Sequence, residues 1–202
     1  MSALTELYKE IALCQQCEIA KFRNNVVPGE GAENADILFI GEAPGWHEDQ
    51  QGRPFVGPAG QFLDELLASI NLDREKIYIA NVIKCRPTGN RDPLTVEINN
   101  CRGWLDRQLE IISPKMIVTL GRFSMSMYFP GKSISRIHGT AMKKDGVTYF
   151  AMYHPAAALH QQSLRQVIKE DMLKIPALLE QEQEQEVIEQ ETKPQQLNMF
   201  DI

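Results

Sequence analysis

No apolar run in the chain approaches the length of a membrane span, and the opening Met1-Ser2-Ala3-Leu4-Thr5-Glu6 has no signal-peptide character. A membrane or secreted protein is therefore not expected, and a cytoplasmic one is the default. Cysteine is scarce, with four in 202 residues. In a reducing compartment such residues argue against disulfides and for metal or catalytic use. Positive charge is not in excess either: 21 Lys and Arg face 27 Asp and Glu, a formal net charge of −6. That balance speaks against a nucleic-acid binder only until it is located. Residues 179–202 hold seven acids and one base, Lys193, which leaves 20 of each sign in 1–178. The acidity belongs to a tail, and the neutral body is free to carry a local basic face.

What is present begins with those cysteines. Cys14-Gln15-Gln16-Cys17 forms a C-x2-C pair, while Cys85 and Cys101 flank a basic, proline-containing loop that starts Lys84-Cys85-Arg86-Pro87. Four thiolates satisfy either tetrahedral zinc or a [4Fe–4S] cluster, and spacing alone does not separate the two.

A chain of this length buries one sizeable core. Four apolar runs read as strands: 36–41, 77–83, 116–121 and 148–153. Helical patterns separate or follow them at about 59–70, 95–112, after 121 through Tyr128, and 161–180. Continuous apolar strands alternating with helices predict an α/β protein, a three-layer α/β/α sandwich around a mainly parallel, four-stranded sheet. In such sheets ligands bind beyond the carboxyl ends of the strands. That rule selects Gly41-Glu42-Ala43-Pro44-Gly45, Asn81 and His154-Pro155. Each alone reads as a turn or as a locally bonded side chain, whereas together they favour a site. Residues 1–180 are expected to form the domain. Residues 181–202, a Glu/Gln run ending in an apolar cluster, read as an acidic flexible tail that buries too little surface to fold alone.

Taken in order, these segments resemble the family 4, iron–sulfur, uracil-DNA glycosylases over residues 10–178. The resemblance is carried by Cys14-x2-Cys17, Gly41-Glu42-Ala43-Pro44-Gly45, the run from Gly52 to Gly60, and Asn81-Val82-Ile83-Lys84-Cys85-Arg86-Pro87. Asn90-Arg91-x-Pro93 with Glu97 and Cys101, and Tyr153-His154-Pro155, complete it. It implies a [4Fe–4S] cluster on Cys14, Cys17, Cys85 and Cys101. It also implies a monofunctional hydrolase that cleaves the N-glycosidic bond of uracil in DNA and leaves an abasic site, the first step of base-excision repair. The base must leave the stack to be reached, and charge developing on the departing uracil calls for fixed dipoles.

By the same resemblance, His154 sits at the leaving base, and Glu42 orients water or stabilises the cationic sugar. Asn81 reads the base edge, Phe55 stacks on the ring, and the backbone of Gly41, Ala43 and Gly45 approaches the uracil or flanking phosphates. Arg53, Lys84, Arg86 and Arg91 are the basic candidates for holding DNA, with Leu159 as the apolar wedge. His160 stands where relatives often place arginine. No basic, histidine-bearing insertion follows Gly52–Gly60, so covalent capture of DNA is not expected. The cluster's role is expected to be structural.

The tail ends in Gln196-Leu197-Asn198-Met199-Phe200, which resembles the short peptides that bind the bacterial replication sliding clamp. Gln196, Leu197, Met199 and Phe200 are its contact candidates. A monomer with no membrane partner is expected. Two readings compete: an iron–sulfur DNA-binding or redox-sensing protein on the same fold without glycosylase activity, and a zinc-binding interaction module.

Overall fold

Strand β2 (Ile37–Gly41) is buried at every position, and the period-2 geometry of a strand divides its residues between two cores. Ile37 and Phe39 join one hydrophobic cluster; Leu38 and Ile40 join the other. A strand apolar on both faces must be covered on both, which is why helices lie on either side of the sheet.

The computed structural model describes residues 2–181. Its elements run α1 (Ala3–Ala12), β1 (Glu30–Gly31), β2, α2 (Trp46–Gln51), α3 (Pro58–Ser69), β3 (Tyr78–Asn81), α4 (Thr95–Ile112) and β4 (Met116–Leu120). There follow α5 (Arg122–Tyr128), α6 (Ile134–Ile137), β5 (Thr140–Lys144), β6 (Val147–Met152), α7 (Pro155–His160) and α8 (Ser163–Met172). Residues 175–181 are helical again after a turn. On one face α3, α7 and α8 contribute Phe62, Leu63, Leu66, Leu67, Ala158, Ile168 and Met172 to the core. On the other, α1 supplies Leu4, Leu7 and Ile11, and α4 supplies Leu105 and Ile112.

The sheet order is β1-β3-β2-β4-β6-β5. The inner four strands are parallel, with Gly41 opposite Asn81 and Thr119 opposite Ile40 and Ala151. The three-layer architecture agrees with the expectation, but the sheet has six strands rather than four. Both additions are antiparallel edges. β1 is two residues long, and β5, Thr-Ala-Met-Lys-Lys, is mostly exposed, so neither carries an apolar run. Helix α1 was not foreseen, although Ser2 caps it by accepting from the Thr5 N–H at 3.2 Å. Among the described residues no helix is long and apolar enough to cross a membrane.

Because β2 passes to β3 on one side and the chain then returns to β4 on the other, strand order reverses around β2. That reversal opens a crevice beyond the carboxyl ends. Glu42, Asn81 and His154 stand there, at or just past the ends of β2, β3 and β6.

Candidate active site

A cavity of about 160 Å³ lies in this crevice, lined by Ala43, Gly45, Glu48, Phe55, Ala59, Asn81, His154 and Ala156. Protein cavities of about 150 Å³ accept a benzene-sized ring, so its scale is that of a single-ring occupant. The Phe55 and His154 rings stack 25° from parallel with centroids 5.5 Å apart. Asn81 is only 2 % exposed, and its Oδ1 is buried without a hydrogen-bond partner. An orphaned acceptor costs on the order of 1–3 kcal/mol. Such a group in a cleft calls for an explanation, and a ligand donor supplies one.

Local backbone requirements explain the glycines of the motifs. A Cβ on Gly41 would stand 2.3 Å from Asn81 Oδ1 and 2.7 Å from the Phe55 ring, inside the space the pocket needs. Phe55 itself has φ +51°, the left-handed region that side chains seldom adopt. A Cβ on Gly60 would approach the Phe55 carbonyl oxygen to 1.8 Å, so the ring's unusual turn depends on that glycine. Arg74 holds the same turn by donating to the carbonyls of Phe55, at 2.9 Å, and Pro54.

Glu48 joins the two halves of the pocket. Its Oε2 accepts from the Gly45 N–H at 3.1 Å, and its Oε1 accepts from Val56 N–H at 2.9 Å and Gly57 N–H at 2.8 Å. Residues 45 and 56–57 belong to separate motif segments, and one carboxylate fastens both. Sequence reasoning missed Glu48 and Arg74. A glutamate at the third position of a helix opened by Gly45 was the available signal for the former.

Two titratable groups at the strand ends are displaced in opposite senses: His154 lines the cavity, whereas Glu42, directly after β2, is not among its lining residues. Burial pushes the Glu42 carboxyl up to about 7, reinforced by the Asp92 charge and opposed by Arg122. Burial pulls the His154 imidazole down to about 4, against the attraction of Glu48. His154 is therefore neutral at pH 7. Its Nδ1 accepts from the Ala156 N–H at 3.1 Å, at the start of α7, which leaves the ring proton on Nε2. A neutral N–H donor and a carboxyl poised near neutrality are the makings of acid–base or charge-stabilising chemistry.

The four cysteines also come together. Cys14, Cys17, Cys85 and Cys101 line one cavity with Ile11, Ile19, Val26, Ile83 and Trp104 among its walls. Their sulfurs draw N–H donors: Trp104 Nε1 reaches Cys14 at 3.2 Å, Arg23 Nη1 reaches Cys85 at 3.1 Å, and the Lys84 N–H reaches Cys101 at 3.3 Å. Such donors suit thiolate charge. Burial raises the Cys85 and Cys101 thiols, the latter to about 11, so a bound metal centre has to displace their protons. Among the described residues no group of three or more His, Cys, Asp or Glu side chains is arranged to hold a single metal ion. The open space between the thiols is only about 10 Å³, so it is the donor set, four thiols with N–H donors on three of them, that suits a thiolate-held group.

The expected basic residues fare differently. Lys84 is corrected: it is 1 % exposed, and its Nζ donates to the Asn81 carbonyl at 2.8 Å from inside the protein, so it presents no ammonium to a phosphate. Arg53 is bonded to both oxygens of Glu30 at 2.6 and 2.7 Å, and Arg91 to both oxygens of Glu97 at 2.9 and 2.6 Å. Arg86 donates to Asn90 Oδ1 at 2.6 Å. Leu159, on α7 five residues past His154, is 43 % exposed. Gln196, Leu197, Met199 and Phe200 lie outside the described residues.

The α/β scaffold thus carries a single-ring pocket with an unpaired amide acceptor and a neutral histidine, and a separate four-thiol cavity; comparison with known proteins places the chain in a family. Residues 28–175 match the model of the uracil DNA glycosylase superfamily, so the chain belongs to that superfamily. Within it the similarity is to the type-4 branch. The type-4 uracil-DNA glycosylase of Sulfurisphaera tokodaii is 45 % identical over 188 residues, covering 88 % of this chain and 86 % of its own. That of Archaeoglobus fulgidus is 46 % identical over 88 % of this chain and 94 % of its own. That of Saccharolobus solfataricus is 44 % identical over 89 % and 88 %.

Proposed function

We propose that this chain is a uracil-DNA glycosylase that hydrolyses the N-glycosidic bond of deoxyuridine in DNA and so initiates base-excision repair. The observation that carries the reading is the buried, partnerless Asn81 Oδ1 at a single-ring pocket beside Phe55 and His154. In the orientation found, Oδ1 accepts the uracil N3–H and the amide nitrogen donates to O4. Cytosine offers an acceptor at N3 and a donor at C4, the inverse pattern, and leaves buried groups unpaired. Phe55 stacks on the flipped ring, a contact typically contributing on the order of 1–3 kcal/mol per base.

Bond cleavage moves the glycosidic electron pair onto N1 of uracil, and the charge spreads to O2. Neutral His154 answers that charge by donating from Nε2, with its Nδ1 already held by Ala156. A hydrogen-bond donor is needed there, not a full proton transfer. Glu42, directly after β2, orients the water that adds to C1′ and accepts its proton when ionised. The backbone of Gly41, Ala43 and Gly45 allows close approach, and Leu159 fills the gap in the stack left by the flipped base.

Cys14, Cys17, Cys85 and Cys101 hold a [4Fe–4S] cluster that is structural. Held by these residues, it would tie the segment after α1 to the loop and helix bearing Cys85 and Cys101. Residues 1–180 are the glycosylase unit of a cytoplasmic monomer. Residues 181–202 are a tether whose Gln196, Leu197, Met199 and Phe200 engage the replication sliding clamp. Removing the tether should spare uracil release from short oligonucleotides and abolish clamp binding.

The test is a labelled oligonucleotide with one deoxyuridine, incubated with EDTA beside a cytosine control and read after alkali. Strand breakage confined to the uracil strand and dependent on alkali is the expected result. No breakage by protein that retains its iron and sulfide favours the non-catalytic, DNA-binding reading instead.

A further inference from the structure

Arg122 opens α5 directly after Gly121, at the carboxyl end of β4, and so lies between the strand ends that carry Glu42 and His154. A Cβ on Gly121 would stand 3.0 Å from the His154 Cβ, which places this turn against the histidine. The Arg122 guanidinium sits over the Phe123 ring, 4.7 Å from its centroid, and forms an ion pair with Asp92. Asp92 belongs to the loop between Cys85 and Cys101. Its neighbour Arg91 is occupied by Glu97, which is almost wholly buried. One ion pair thus connects the cysteine loop to the strand end beside Glu42, and no sequence motif marked either partner.

We propose that Arg122 and Asp92 are a positioning pair for the reaction, bracing the cysteine loop against the end of β4 and fixing the charge balance around the Glu42 carboxyl. The inference rests on Glu42 taking part in uracil release. The charged groups acting on Glu42 are this anion and this cation, while His154, the titratable group on the β6 side, is neutral. Asp92 disfavours the Glu42 carboxylate and Arg122, the smaller influence, favours it, so the two ends of the intact pair oppose each other. Removing either end exposes the other.

The two partners therefore make opposite predictions. In the iron-loaded protein, single-turnover uracil release measured against pH should rise along a limb near pH 7 as Glu42 ionises. Asp92→Asn should move that limb to lower pH and Arg122→Ala to higher pH, each by roughly 0.2–0.7 of a pH unit, the range expected for exposed charges. Arg122→Lys should stay near the parent position. A pair that only braced the loop would lower the rate in both variants with no displacement of the limb, and that result overturns the proposal. So does a limb that moves the same way in both. Weaker DNA binding by Arg122→Ala with an unmoved limb also overturns it and makes Arg122 a phosphate contact. Glu42→Gln separates the two levels: unchanged release in that variant refutes the role of Glu42 itself.

Discussion

Replacing Glu48 by alanine removes one carboxylate from three backbone donors, Gly45, Val56 and Gly57. Hydrogen bonds to a charged group are typically worth about 1.5–3 kcal/mol each, and bonds that share an acceptor are not additive. A loss of roughly 2–4 kcal/mol is expected, since water can re-enter at Gly45 on the pocket side more easily than at the turn following Phe55. At about 2–4 °C per kcal/mol for a chain of this size, the apparent melting temperature should fall by roughly 4–16 °C. Glu48→Gln keeps one acceptor oxygen but turns an amide N–H₂ toward a backbone donor, so it should lie between the parent and the alanine variant. Charge is not the cause. Loss of Glu48 removes the attraction that raises the His154 pKa, and the imidazole, already depressed to about 4, simply remains neutral. Amide hydrogen exchange over residues 42–57, run with the cluster intact, reads the loosened segment, and uracil release reads its consequence. Faster exchange confined to this segment, together with slower release, is the predicted pair. An unchanged melting temperature and unchanged exchange would refute the bridging role.

Further outcomes follow from the same geometry. Gly41→Ala inserts a methyl 2.3 Å from Asn81 Oδ1 and 2.7 Å from the Phe55 ring. Overpacking of about 1–3 kcal/mol should appear mainly as lost uracil release, because the displaced groups line the pocket. Glu42→Gln should stabilise the fold above pH 7 and change it little near pH 4.5. A carboxyl whose folded pKa is raised to about 7 contributes stability below its ordinary value and loses it as pH rises through 7. After allowance for solvent screening the gain is on the order of 1 kcal/mol, measurable by urea unfolding at the two pH values. Leu159→Ala should slow release from duplex DNA and spare release from single strands, because only a duplex has a stack to fill; equal loss on both substrates would exclude a wedge.

The parallel core of the sheet was legible in the sequence because β2, β3 and β4 are largely apolar runs buried at every position and β6 is buried at four of its six positions. The edges were not. Thr140–Lys144 is polar and exposed because its outer side meets solvent, and Glu30–Gly31 is too short to show a period. Helix α1 carried a readable signal, Leu4, Leu7 and Ile11 at helical spacing behind a serine cap. At the site, the rule that ligands gather beyond parallel strand ends selected Gly41, Glu42, Asn81 and His154, of which Asn81 and His154 line the cavity. The cysteine set followed from count and spacing. What escaped was everything decided by tertiary approach. Lys84 was read as a phosphate contact from its basic neighbourhood, yet the chain turns it inward against the Asn81 carbonyl. Arg74 reaches back to the Phe55 turn from 19 residues away, and Arg122 meets Asp92 from 30 away. Local patterning holds no trace of such distant pairings.

The central claim is that the unpaired Asn81 Oδ1 awaits the N3–H of uracil. A crystal of the iron-loaded protein soaked with free uracil tests it most directly. The account predicts the ring stacked on Phe55, its N3 within about 2.7–3.2 Å of Asn81 Oδ1 and its O2 within the same range of His154 Nε2. Uracil bound elsewhere, or a ring in the pocket with Asn81 Oδ1 still unpaired, would contradict it.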